Sequence, residues 1–207
     1  MLGFYNYTVI VTYLGFAFAL CGIMICQQNP SLAVLFLIFS GVCDMFDGAI
    51  ARTRKRTEEE KRFGIQIDSL ADMTSFGVLP ACIGYAVGLR KPWQMVLLVA
   101  YALAGLIRLA YFNVMEEVRQ SKEGGKRQYY DGLPITSASI LLTLTYCICR
   151  ELAPQAMAAA YGTMMAITGV CFVSPIKVKK PSLAGNMAIA FTGLAILLAV
   201  FKISGRI

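Results

Sequence analysis

The stretch CDMFDGAIARTRKRTEEEKRFGIQIDSLADMTSFG, residues 43–77, places four aspartates in segments that are otherwise apolar. They are Asp44, Asp47, Asp68 and Asp72. Insertion scales assign about 2.5 to 3.5 kcal/mol to an aspartate at the centre of a membrane helix, so four would cost on the order of 10 kcal/mol. If the flanking segments span a membrane, some favourable interaction must therefore compensate for these carboxylates.

The composition supports a membrane location, because 57% of the 207 residues are hydrophobic and only 15% are charged. Segments of about 20 apolar residues are long enough to span a bilayer. Seven such helices are predicted, at residues 5–26, 32–51, 64–89, 94–115, 133–150, 154–173 and 183–201. The first lacks a positively charged start, which favours a retained helix over a signal peptide. We expect an all-α polytopic membrane protein with a single transmembrane catalytic domain over residues 1–207.

Lysine and arginine are distributed unevenly between the predicted loops. Thirteen lie in segments 52–62, 116–132 and 174–180, against five on the opposite side. Because short cytoplasmic loops are enriched in these residues, the N-terminus and these three segments are expected in the cytoplasm. The net charge of +7 is explained by topology or by attraction to anionic lipid, and no nucleic-acid partner is expected.

The spacing of the aspartates favours a common site. Asp44 and Asp47 are three residues apart, whereas Asp68 and Asp72 are four apart, so each pair shares one helix face. Small residues share these faces: Gly41, Gly48, Ala51 and Gly64. The two faces are expected to meet across the charged loop. The alternative is that the aspartates are interfacial residues that reach the cytoplasmic surface.

Converging carboxylates repel one another unless protons or cations lie between them. Oxygen ligands of this kind suit Mg²⁺ or Mn²⁺, and two such ions about 4 Å apart can clamp a phosphate group. The small residues leave room for a bulky substrate. The residues thus indicate a metal-bound phosphate ester at the cytoplasmic membrane surface.

Written out, the stretch is D-x2-D-G-x2-A-R-x11-G-x3-D-x3-D, from Asp44 to Asp72. It resembles the signature of the CDP-alcohol phosphotransferases, although the gap between Arg52 and Gly64 is longer than the commonest family spacing. The resemblance implies a six-helix transmembrane core, here with a seventh helix added, and usually a homodimer. It also implies two divalent ions, Mg²⁺ or Mn²⁺, held by the four aspartates, with Asp72 also acting as general base. The implied nucleotide-binding residues are Gly48, Ala51, Arg52 and Gly64.

The acceptor is suggested by shorter motifs. The stretches DSLADMTSFGVLPA (68–81), IRLAYFNV (107–114) and YYDGLP (129–134) resemble the serine-using branch of the family, and Ser69 stands where the glycerophosphate branch usually has proline. This implies transfer of a phosphatidyl group from CDP-diacylglycerol to L-serine, with release of CMP, in a prokaryotic plasma membrane. The chain has no histidine, which favours direct displacement over a covalent histidine intermediate. Alternatives are glycerol 3-phosphate or an inositol phosphate as acceptor, an archaeal ether lipid as donor, or a cation transporter.

Three further polar residues are candidates. Arg108 lies within a predicted helix, where it is expected to bind the serine carboxylate or the reacting phosphate. Its alternative role is to pair with an aspartate or to extend to the cytoplasmic surface. Asn6 and Thr8, in YNYT, resemble less closely a polar pair that opens the first helix of the family, which implies contact with the nucleotide; helix capping is the alternative.

Overall fold

The described part of the chain is almost entirely helical, as predicted. The computed structural model describes residues 3–4, 6–51, 53–122 and 129–179. Its α-helices are α1 (Ile10–Ile25), α2 (Pro30–Ala51), α3 (Glu58–Asp72), α4 (Leu79–Ala86), α5 (Pro92–Lys122), α6 (Ser137–Leu152) and α7 (Met157–Val173). Short 3-10 turns at Tyr7–Val9 and Pro154–Ala156 precede α1 and α7. The predicted helix at 183–201 lies outside the described residues.

Four helical segments of the described chain are long and apolar enough to cross a membrane: Tyr7–Ile25, Pro30–Ala51, Pro92–Val118 and Pro154–Val173. They match the first, second, fourth and sixth predicted spans. The fifth predicted span corresponds to the shorter α6, with 16 residues. The third corresponds to a longer helical segment that runs from α3 to α4 and has a charged N-terminal end. The all-α membrane fold is thereby confirmed.

Helix α3 begins at Glu58, six residues before the start at 64 that the sequence predicted for the third span. Thr57 caps it, because its hydroxyl accepts a hydrogen bond from Glu60 N at 3.2 Å. The Glu60 carboxylate in turn accepts from Thr57 N at 3.0 Å, which completes a capping box. Part of the charged segment 52–62 is therefore helix and not loop.

A π-helical segment, Met73–Val78, joins α3 to α4 directly after Asp72. Pro80 lacks the N–H that an α-helix would direct to the carbonyl of Phe76 four residues earlier. The buried Tyr101 hydroxyl of α5 donates to that carbonyl at 2.7 Å. A side chain of α5 thus supplies the hydrogen bond to the Phe76 carbonyl that Pro80 cannot donate.

Contacts at the two ends of the molecule show that α6 runs antiparallel to both α7 and α2. Strand β1 (Tyr129–Asp131), before α6, pairs antiparallel with β2 (Lys177–Lys179), after α7, so two of the predicted cytoplasmic segments meet. This strand pair was not predicted. At the opposite end, Arg150 donates hydrogen bonds to the hydroxyls of Ser31 and Tyr146, which ties the end of α6 to the start of α2.

Small residues let α2 pack closely against its neighbours. A Cβ on Gly15 of α1 would lie 3.1 Å from the Cβ of Cys43, and Ser40 Oγ donates to the Gly15 carbonyl at 2.8 Å. A Cβ on Gly41 would lie 2.9 Å from Ser139 Oγ of α6. These close approaches on two sides fix the end of α2 that carries its two aspartates.

Candidate metal and nucleotide site

The carboxylates of Asp44, Asp68 and Asp72 form one cluster. Each contributes an oxygen, and these three atoms lie within 4.8 Å of one another. The carboxylate of Asp44 on α2 therefore lies close to that of Asp72 on α3. The two aspartate-bearing faces meet, as the spacing predicted.

Asp47 joins the cluster through Asp68, because the two carboxyl groups lie close enough to interact. Thr12 of α1 contacts it from the other side, since the Thr12 hydroxyl donates to Asp47 Oδ2 at 3.3 Å. The fourth aspartate is therefore oriented by a second helix. Thr12 has no place in the signature, so sequence reasoning missed it.

The chemistry of the donor set fits a divalent cation. Half-buried carboxylates from two helices supply only oxygen ligands, which hard cations prefer. Asp68 Oδ1 is buried and, within the described residues, has no hydrogen-bond partner. A buried carboxylate oxygen without a donor is costly, and a bound cation would satisfy it. In addition, Asp44 and Asp47 lie in the last two turns of α2, whose dipole adds negative potential there.

The predicted nucleotide residues lie on the faces next to this cluster. Gly48 is exposed, and a Cβ built on it meets no atom of the described residues within 4 Å, so they leave the space beside it open. Ala51 is half-buried at the end of α2. Gly64 lies one turn before Asp68 on α3. Arg52, the remaining member of this set, lies outside the described residues.

Asn6 and Thr8 lie at the same end of the molecule as the signature loop. Asn6 caps the first 3-10 turn, because its Oδ1 accepts from Thr8 N at 3.1 Å and from the Thr8 hydroxyl. Its amide nitrogen donates to Glu60 Oε1 at 3.2 Å. The capping role is thus present in the structure, and Asn6 also ties the N-terminal segment to α3.

Arg108 is buried, with 5% of its surface exposed, although it carries a charge. Its Nε donates to the Leu133 carbonyl at 3.0 Å, and Nη2 donates to the Gly132 carbonyl at 3.4 Å. The guanidinium also lies 5.5 Å from the ring centre of Phe112. It therefore anchors the YYDGLP motif to α5.

Ser69 and Asn113 form a link that the signature does not predict. Asn113 Nδ2 donates to Ser69 Oγ at 2.8 Å, which joins α5 to α3 beside Asp68. Both residues lie in the motifs that resemble the serine-using branch. Their presence in separate motifs was the available signal, but the sequence did not indicate that they touch.

Comparison with known proteins agrees with this geometry. The profile of the family described as CDP-alcohol phosphatidyltransferase matches residues 5–174, which include every described aspartate of the cluster. No solved structure matches the chain.

Several curated relatives share one printed name, CDP-diacylglycerol–serine O-phosphatidyltransferase. The Saccharomyces cerevisiae protein is 39% identical over 56% of this chain and 42% of its own length. The Bacillus subtilis protein is 28% identical over 78% of this chain and 81% of its own. The Helicobacter pylori protein is 34% identical over 55% of this chain and 45% of its own. The chain thus spans less than half the length of the yeast and Helicobacter relatives.

Proposed function

Since this chain belongs to the CDP-alcohol phosphatidyltransferase family, we propose that it transfers the phosphatidyl group of CDP-diacylglycerol to L-serine. The products would be phosphatidylserine and CMP. The observation that carries the proposal is the convergence of Asp44, Asp68 and Asp72, with Asp47 paired to Asp68, at the open face beside Gly48. The names of the curated relatives support serine as the acceptor.

The four aspartates are proposed to hold two divalent ions, Mg²⁺ or Mn²⁺. When bound, these ions would neutralise charge on the diphosphate and on the departing CMP. Holding them is also what makes the four carboxylates tolerable at membrane depth. Gly48, Ala51, Arg52 and Gly64 are proposed to bind the CDP group, with Asn6 and Thr8 at the edge of that site.

Asp72 is proposed as the general base. The serine hydroxyl would form a bond to the lipid-side phosphorus while the bond from that phosphorus to the CMP oxygen breaks. The hydroxyl proton would pass to the Asp72 carboxylate, a positioned group that suits this transfer. The absence of histidine from the sequence favours this direct displacement over a covalent histidine intermediate.

Arg108 is proposed to bind the serine carboxylate, because a guanidinium can donate two parallel hydrogen bonds to the two oxygens of such a group. Its contacts with the carbonyls of Gly132 and Leu133 hold the guanidinium in a fixed orientation. Ser69 and Asn113, which bond to each other beside Asp68, would form the neighbouring wall of the acceptor site.

The remaining parts of the proposal concern the setting. We propose that residues 1–207 act as one catalytic domain in a homodimer. The membrane would be a prokaryotic plasma membrane, with the aspartates at its cytoplasmic side, as the distribution of lysine and arginine favours.

The test is CMP release by the purified protein with CDP-diacylglycerol and Mn²⁺ or Mg²⁺. Serine, glycerol 3-phosphate and an inositol phosphate are supplied separately. Serine-dependent release that Asp72→Asn abolishes and Glu59→Gln retains would support the proposal, because Glu59 is an exposed carboxylate on the same helix. Release with another acceptor would overturn the serine assignment, and no release with any acceptor would return cation transport to consideration.

A further inference from the structure

The side chain of Arg56 folds back onto the signature helix α3. Its Nη1 lies 3.1 Å from the position that a Cβ on Gly64 would occupy. Arg56 is half-buried, whereas its neighbours Arg54 and Lys55 are exposed. The guanidinium therefore occupies the surface that the absence of a side chain at Gly64 leaves open.

The loop holds Arg56 between two tied residues. Arg54 Nη2 pairs with Glu60 Oε1 at 3.4 Å, and Thr57 forms the capping box with the same Glu60. Asn6 also donates to Glu60, which connects the loop to the N-terminal segment. The residues on both sides of Arg56 thus contact Glu60 in the first turn of α3.

The charge of Arg56 is not compensated by an ion pair. In the described part of the chain, Arg54 and Lys61 have carboxylate partners within 4.0 Å, and Arg56 has none. Gly64 precedes Asp68 by four residues, which is about 6 Å of helix rise. A half-buried guanidinium thus stands about one turn from the carboxylate cluster.

We propose that Arg56 binds the diphosphate of the CDP-linked lipid. The inference rests on the proposed function for the identity of this anion. Four carboxylates and two divalent ions would have no net charge, so the two negative charges of the diphosphate call for additional cations. A guanidinium forms paired, charge-assisted hydrogen bonds to phosphate oxygens, and Arg56 is placed beside the proposed nucleotide face.

The first experiment measures the binding of CDP, which carries no lipid, to the purified full chain with Mn²⁺. Arg56→Gln is expected to weaken binding by about tenfold or more, since hydrogen bonds to charged groups are the stronger class. Arg56→Lys should recover part of the affinity. Lys55→Gln is the matched control, because it removes one positive charge from the adjacent exposed position and should bind CDP as the wild type does.

The second experiment distinguishes the nucleotide from other phosphate groups in the membrane. The KM for CDP-diacylglycerol is measured in micelles containing phosphatidylcholine and in micelles containing anionic phosphatidylglycerol. An effect of Arg56→Gln in both, with no change in the KM for serine, supports the proposal. Equal losses in Arg56→Gln and Lys55→Gln that occur only with anionic lipid would overturn it and indicate general attraction to the bilayer.

The two proposals can fail separately. If the wild type releases CMP with serine but Arg56→Gln binds CDP as tightly as the wild type, the role of Arg56 is refuted and the function stands. If the wild type uses no acceptor but CDP binding depends on Arg56, the nucleotide contact is supported and the transferase proposal fails.

Discussion

Replacing Asp68 by asparagine should stabilise the metal-free protein and remove most of its stabilisation by metal. Asparagine keeps nearly the shape of aspartate but removes one ionisable carboxyl group from the cluster with Asp44 and Asp72. Its amide can donate a hydrogen bond to the neighbouring Asp47 carboxylate. The substitution therefore tests repulsion between the carboxylates more than packing.

The magnitude follows from the separation of the carboxylate oxygens. At the upper limit of 4.8 Å and an effective dielectric constant of about 20, two full charges repel by about 3.5 kcal/mol, and a closer pair repels more. Protons shared within the carboxyl pairs relieve much of this, so we expect a net gain of about 2 kcal/mol. For a chain of this size, that gain corresponds to a rise in Tm of about 4 to 8 °C.

The assay is thermal unfolding in detergent, first with EDTA and then with Mn²⁺. Mn²⁺ at a hundred times its Kd should stabilise the wild type by about 2.7 kcal/mol, and Asp68→Asn should lose most of this response. Glu59→Gln, on the exposed surface of the same helix, should match the wild type in both conditions. A lower Tm for Asp68→Asn in EDTA would refute the repulsion argument, and an unchanged Mn²⁺ response would exclude Asp68 as a ligand.

Three other substitutions test neighbouring parts of the site. Arg108→Lys should raise the KM for serine about tenfold or more with little change in the KM for CDP-diacylglycerol, because an ammonium group cannot form the paired hydrogen bonds that a guanidinium makes with a carboxylate. Unchanged serine kinetics would exclude the contact. Tyr101→Phe should lower the free energy of unfolding by about 1 to 3 kcal/mol by leaving a buried carbonyl without a donor, whereas the exposed Tyr111→Phe should be neutral. Thr12→Val should weaken Mn²⁺ binding about tenfold, because the hydroxyl orients Asp47, and equal affinity in the two proteins would contradict this.

The apolar segments and the aspartate spacing predicted the helical membrane fold and the meeting of α2 with α3. These features depend on periodicity and segment length, which a sequence displays directly. The boundaries were less accurate. Helix α3 starts at Glu58 because the capping box of Thr57 and Glu60 extends the helix into a highly charged segment. The π segment after Asp72 depends on a tyrosine of another helix, and no local pattern indicates it.

Within the site, the sequence identified the carboxylates but not the contacts made by the polar groups around them. Thr12 and Asn113 reach the site through tertiary contacts with Asp47 and Ser69. Neither contact has a fixed sequence spacing, so only packing shows it. Arg108 was identified by its unusual place in an apolar helix, but its bonds to the carbonyls of Gly132 and Leu133 appear only in the fold.

The unusually long gap within the signature can now be understood physically. The capping box restarts the helix at Glu58, so Gly64, Asp68 and Asp72 keep their helical spacing whatever the length of chain before Thr57. The distance between the two carboxylate pairs is set by helix packing and not by the loop. The additional residues can therefore vary without disturbing the cluster, and in this chain they place Arg56 on Gly64. A departure from the common spacing thus leaves the proposed metal ligands in place while it adds a cation beside the proposed nucleotide site.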